Sequence, residues 1–196
     1  MAKKDFNVIS GIVLSDADGL SEYYEKFSDG FYEVHPSAEN MIPLCKAFIE
    51  LIGKNVMFFI EMPKDTDEAE FDVYELDCTK AVANAIIKRY GELLVNDGVY
   101  NFGFVDLDSD AEIYFTFFQT VSITLVNKST DNDKKLRRMI EGIGIPRGKG
   151  VSVSVRDKFD PDKDDLASIE IEGESVDDAV ENLKEAGLTF AYSTDE

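Results

Sequence analysis

Histidine is almost missing from this chain of 196 residues: His35 is the only one. A single imidazole excludes a multi-histidine metal centre built within one chain, and it leaves histidine-dependent catalysis one candidate. His35 precedes Pro36, where a loop is expected to lead into a helix, and no Gly-x-Ser-x-Gly nucleophile elbow accompanies it. Its expected role is therefore structural or solvent-facing. Cysteine is scarce as well. Cys45 and Cys78 show neither metal-ligand nor disulfide-scaffold spacing, and Cys45 falls among the apolar positions of a helical pattern, so both are expected to be reduced.

Basic residues are outnumbered, 20 against 40 acidic ones, for a formal charge of −20. Such a field repels nucleic acid and anionic lipid, so neither is an expected partner, and a basic protein is. Salt adaptation is the alternative source of such acidity, but the lysines and large aromatics do not fit it; ordinary solubility charge remains the plainest one. Long apolar runs are also lacking. Val8 to Leu14 is short and holds Ser10 and Gly11, and Ser15 to Asp18 makes a poor cleavage site, so neither a membrane span nor a secretory leader is expected and the chain is expected to be cytoplasmic. Fixed-period repeats are absent.

What is present is a core. A hydrophobic share of 44% with 14 Phe and 8 Tyr is that of a packed globular protein, and a chain of this length buries about 70% of the surface its unfolded form exposes. The stretch Val99 to Val126 is the expected organising element. In its first arm, Val99 to Leu107, Tyr100, Phe102 and Phe104 alternate with Val99, Val105 and Leu107. Asp108 to Asp110 supply a turn, and the return arm, Glu112 to Phe118, sets Ile113, Phe115 and Phe117 against Tyr114, Thr116 and Phe118. Bulky groups on both faces predict cover on both, so this meander belongs at the centre of a sheet with helices packed on it.

Around it, Phe6 to Leu14 reads as a strand, and in the stretch Leu20 to Val34 the spacing of Leu20, Tyr23, Tyr24 and Phe27 predicts a short helix ended by Gly30. Met41, Leu44, Cys45, Phe48, Ile49 and Ile52 mark a helix after Pro36, and Val56 to Met62 and Phe71 to Leu76 form a hairpin with an acidic tip. Asp77 can cap a helix bearing Val82, Ile86, Ile87, Tyr90, Leu93 and Leu94; a further helix carries Leu136, Met139, Ile140 and Ile143 on one side and Lys134, Lys135, Arg137 and Arg138 on the other. Val151 to Val155 and Ser168 to Glu172 read as strands, Ser175 caps a last helix, and Leu188 to Ser193 is the last strand. The run from Ala167 to Ser193 reads as a right-handed crossover unit. The fold class is therefore α+β: a mixed, largely antiparallel sheet built around a central meander, with four or five helices. It is read as one domain over 1–196, the alternative being a main domain over 1–128 and a small C-terminal subdomain over 129–196.

Near-motifs fail in detail. Asp160-Pro161-Asp162-Lys163-Asp164-Asp165 has the opening rhythm of a calcium loop, but Asp165 stands where the turn needs Gly and Glu170 comes one place early. Asp106, Asp108 and Asp110 share the rhythm and lack the Gly and the closing Glu. Gly142 to Gly150 follows a helix and enters a strand, the reverse of a phosphate-binding loop. No metal or cofactor is expected, and no catalytic residue stands out, so the chain is read as leaning away from an enzyme. The residues expected to meet a partner are the acids Asp65, Asp67, Glu68 and Glu70 in one loop and Asp160, Asp162, Asp164 and Asp165 in another, with Tyr23 and Tyr24 as aromatic anchors. Packing of those tyrosines on the sheet is the competing expectation. The basic segment Lys134 to Lys149 either pairs with the chain's own carboxylates or docks a second copy. This profile suits a non-enzymatic acidic binding protein, such as an immunity protein or an inhibitor of a basic toxin or nuclease. An enzyme or small-ligand-binding protein with a site assembled from dispersed residues is the alternative.

Overall fold

The computed structural model describes residues 5–28, 30–64, 70–125, 130–148 and 152–194. In chain order the elements are β1 (Ile12–Val13), β2 (Tyr23–Ser28), β3 (Phe31–His35), α1 (Ala38–Leu51), β4 (Asn55–Pro63), β5 (Phe71–Thr79), α2 (Lys80–Asn96), β6 (Asn101–Asp106), β7 (Ala111–Thr116) and β8 (Thr120–Thr124). There follow α3 (Thr130–Gly142), α4 (Val155–Lys158), β9 (Asp165–Leu166), β10 (Glu170–Ile171), β11 (Glu174–Ser175), α5 (Val176–Glu185) and β12 (Thr189–Ser193). Eight strands make one sheet in the order β12-β5-β4-β6-β7-β8-β3-β2, and every strand pairing in it is antiparallel. The fold is α+β, with the expected meander, β6 to β8, inside the sheet.

Register gives the sheet two unlike faces. One row of neighbours crosses all eight strands as Tyr24, Val34, Val121, Phe115, Phe102, Ile60, Tyr74 and Phe190. From Tyr24 to Ile60 these side chains meet the apolar stripes of α1 (Leu44, Phe48), α2 (Ile87, Leu94), α3 (Leu136, Ile140) and α5 (Val180, Leu183) in one continuous core; Tyr74 packs partly buried against it and Phe190, on the edge strand, is exposed. Phe102 and Phe115 stack there face to face, centroids 4.6 Å apart. The adjoining row, set one residue over, reads Glu25, Glu33, Ser122, Tyr114, Gly103, Phe59, Glu75 and Thr189. None of these residues belongs to that core. The expectation of helices on both faces is thus corrected: α1, α2, α3 and α5 share one face, and the alternation of Glu112, Tyr114 and Thr116 against Ile113 and Phe115 is that of a half-solvated antiparallel sheet.

Gly103 shapes the open face. A Cβ there would lie 2.4 Å from both the Ile113 carbonyl oxygen and the Phe59 ring, so the missing side chain lets Phe59 lie across β6 and reach Tyr114, 5.7 Å between ring centroids.

Other expectations are corrected. Leu20 to Val34 is no helix; Tyr24, Tyr32 and Val34 alternate into the core, and Gly30, at φ 85°, turns β2 into β3. Its aromatics fit both periods, and pairing with β8 decides between them. Within Phe6 to Leu14 only Ile12–Val13 forms a strand, paired with β9, and residues 10–11 make a turn before it. The backbone ahead of that turn is held by the buried Gln119 side chain, whose Oε1 accepts from Ile9 N–H and whose Nε2 donates to the carbonyls of Asn7 and Pro36. Residues 152–154 form no strand, and Ser154 caps α4 reciprocally with Asp157. Thr79, and not Asp77, caps α2, because β5 runs on to Thr79. The C-terminal crossover is also overturned: Glu172 and Gly173, both at positive φ, close a tight β10–β11 hairpin, and after α5 the chain returns antiparallel to β5 as an edge strand.

Candidate functional site

The open face carries the unexplained charge. On β2 and β3, Glu25 stands directly opposite Glu33, a like-charge cross-strand pair that weakens the sheet by about 0.2–1 kcal/mol. On β4 and β7, Glu61 and Glu112 share one cleft of about 200 Å³ with Met57, Phe59, Val105, Tyr114 and Tyr192. Glu61 is tied down: its Oε2 accepts from the Tyr114 hydroxyl at 2.6 Å and from Asn101 Nδ2 at 2.8 Å. Glu112 is half-buried and makes no hydrogen bond or ion pair among the described residues. Burial raises its carboxyl above the ordinary range, and the Glu61 charge adds to the effect.

A second cleft, about 380 Å³, lies between β3, β8, β7 and the α4 end, and Tyr114 lines both. His35 forms part of its wall. The ring stacks on Tyr23 with centroids 4.4 Å apart, and Nε2 lies 2.8 Å from Glu33 Oε1. Desolvation lowers the imidazole pKa, outweighing the opposing pull of Glu33, so the ring is neutral near pH 7 and donates from Nε2–H. Nδ1 is left facing the Thr120 hydroxyl at 3.4 Å. His35 is thus buried between Tyr23 and Glu33 and not solvent-facing. Arg156, exposed at the rim, lies over the Phe118 ring.

The expected partner-binding residues fall in three places. Asp65, Asp67 and Glu68 lie outside the described residues, and Glu70 is half-buried beside them, its carbonyl accepting from Lys64 N–H. In the other loop, Asp164 is buried and accepts from the backbone N–H groups of Ser15 and Asp160, while Asp160 pairs with Lys163. Those two carboxylates hold the loop's own turn, leaving Asp162 and Asp165 as its exposed acids. Tyr23 and Tyr24 are 7% and 1% exposed. Exposed anchors they are not, since Tyr24 points into the core and donates to Glu141 on α3 while Tyr23 covers His35. The exposed ring on this hairpin is Phe27, at 58%.

Asp106 spends its carboxylate on the N–H groups of Gly53 and Asp108 and on the Ser109 hydroxyl. Among the described residues no three His, Cys, Asp or Glu side chains are grouped to hold a metal ion. Within the basic segment, Arg137 pairs with Asp133, which also takes Lys26, whereas Lys149 lies outside the described residues. Both cysteines are free thiols. No described helix is long and apolar enough to cross a membrane.

The acids that converge, Glu25, Glu33, Glu61 and Glu112, were not singled out by sequence. Their signal was present: each is the one carboxylate of a strand rich in apolar and aromatic residues. The fold and this face define the molecule as an α+β protein with a one-sided helical layer and an open acidic sheet. Comparison of the chain with protein-family models, curated proteins and solved structures finds no match.

Proposed function

We propose that the face of the sheet opposite α1, α2, α3 and α5 is a docking surface for a basic protein, and that the protein acts as a non-enzymatic binder or inhibitor of that partner. The observation that carries the reading is the arrangement of Glu25, Glu33, Glu61 and Glu112: carboxylates set opposite or beside other carboxylates, on the face opposite α1, α2, α3 and α5, at a cost to the fold. A cationic surface laid on this face turns each repulsion into attraction. The aromatic groups between the acids, Phe31, Tyr114 and Phe118, supply apolar contact, and Phe27 and Tyr192, 58% and 49% exposed, stand at its two ends. Neutralisation of a basic toxin or nuclease is the activity that best suits such a face. Docking of this kind uses charge chiefly to speed encounter. A reducing cytoplasmic setting suits the two free thiols.

The test compares two charge-matched variants. In one, Glu25, Glu33, Glu61 and Glu112 become Gln; in the other, Glu50, Glu92, Glu181 and Glu185, exposed on the helices, become Gln. Both are used to capture basic proteins from the source cells, and association of the purified captured protein is then timed. The open-face variant is expected to lose capture and the helix variant to keep it, with the difference in association rate shrinking above about 0.15 M salt, where the Debye length is about 8 Å. Equal behaviour of the two variants overturns the proposal.

A further inference from the structure

The cleft between β4, β7 and β12 has a more specific chemistry than the face around it. We propose that Phe59, Glu61, Glu112, Tyr114 and Tyr192 form a receptor for one arginine side chain of the docked partner, an inference that rests on the docking reading above. Size comes first. At about 200 Å³ the cleft is smaller than the ~300–1,000 Å³ pockets that enclose a whole ligand, and a side-chain head group fits it.

The walls then select the group. Phe59 and Tyr114 lie against each other across Gly103, and Tyr192 lines the cleft from the edge strand, so a cation in the cleft meets aromatic rings as well as the acids. At the carboxylate end, Glu61 is oriented by the Tyr114 hydroxyl and Asn101, both bound to Oε2, which leaves Oε1 to a newcomer. Glu112 has both oxygens unbonded among the described residues. Two carboxylates from different strands, one fixed and one unpaired, match a planar fork of N–H donors better than a point ammonium, and a guanidinium also stacks on the rings. Among the described residues no cation takes the place. Arg156, which lines an adjoining cleft with Glu61, lies over Phe118 and makes no ion pair among the described residues. The raised pKa of Glu112 agrees with a carboxylate awaiting a counter-charge.

The experiment titrates the intact protein with N-acetyl-arginine methylamide, the matching lysine compound and the matching citrulline compound, following the Tyr114 and Tyr192 ring signals and the Glu112 carboxyl carbon by NMR. The arginine probe is expected to shift all three saturably and to move the Glu112 titration to lower pH. The lysine probe should bind more weakly and the uncharged citrulline isostere not at all. Glu112→Gln should weaken the arginine probe on the order of tenfold. Shifts spread evenly over the exposed acids, or arginine binding unchanged in Glu112→Gln, overturn the receptor. The two proposals fail separately. An arginine probe that is refused while partner capture still depends on Glu25 and Glu33 removes the receptor alone. Arginine bound by a protein whose partner capture ignores the open face removes the docking reading and leaves a guanidinium site standing.

Discussion

Phe115 and Tyr114 are neighbours in β7 with opposite surroundings, and substituting each in turn tests the two-faced sheet. Phe115 is 1% exposed, stacked on Phe102, and registered between Phe102 and Val121 under the helices. Phe115→Ala should cost about 3–5 kcal/mol through lost burial and the cavity left behind. For a chain of this length each kcal/mol lowers Tm by about 2–4 °C, so the fall should be roughly 6–20 °C. Tyr114→Phe keeps the ring and removes one hydrogen bond to Glu61 on the half-solvated face. A buried bond to a charged acceptor is worth about 1.5–3 kcal/mol, and partial exposure reduces that figure. Urea unfolding followed by far-UV circular dichroism measures both, with the slope m as a check that the unfolded state is unchanged. A Phe115→Ala midpoint equal to wild type at unchanged m would refute the placement of the meander, and a larger loss for Tyr114→Phe would refute the assignment of faces.

Three further outcomes are expected. Because the folded-state pKa of Glu112 is raised, its ionisation opposes folding: its contribution is fully favourable below about pH 4.5 and is lost as pH rises through the folded pKa. Glu112→Gln should therefore raise the denaturation midpoint at pH 7 and leave it nearly unchanged near pH 4; a destabilised variant at pH 7 would contradict the unpaired carboxylate. His35 has the opposite sense, its folded pKa lying below the ordinary 6.5, so its contribution is complete above that pH and declines as pH falls below it, and His35→Gln should flatten stability between pH 7 and 5. In the loop before β9, Asp164→Asn should lower the midpoint because it weakens acceptance from Ser15 and Asp160 N–H, whereas Asp162→Asn with Asp165→Asn should not; equal effects would show that the two roles in that loop are not distinct.

The sequence made the core legible where one period dominates. Alternation through 101–116 placed the meander, and three-and-four spacing placed α1 and α2, because side-chain direction there is set by local geometry alone. Where aromatics satisfied two periods at once, as in Leu20 to Val34, the decision came from pairing with β8, a contact about ninety positions away along the chain. The segment before β2 misled for another reason: its hydrogen bonds go to scattered distant groups, the Gln119 side chain and the backbone of Ala38, Asn96 and Ala167 among them, and no periodicity records that. The site was legible only in outline. Net charge led to the expectation of a basic partner, but runs of acids drew notice to loops, whereas the carboxylates of the open face stand singly in strands and are brought near one another only through register.

The central claim is that Glu25, Glu33, Glu61 and Glu112 face the partner. Carbodiimide labelling of carboxylates, read by mass spectrometry with and without the captured basic protein, tests it most directly. Those four should lose reactivity in the complex while Glu50, Glu92, Glu181 and Glu185 keep theirs. Protection of the helix-side set, with the open-face four as reactive as in the free protein, would contradict it.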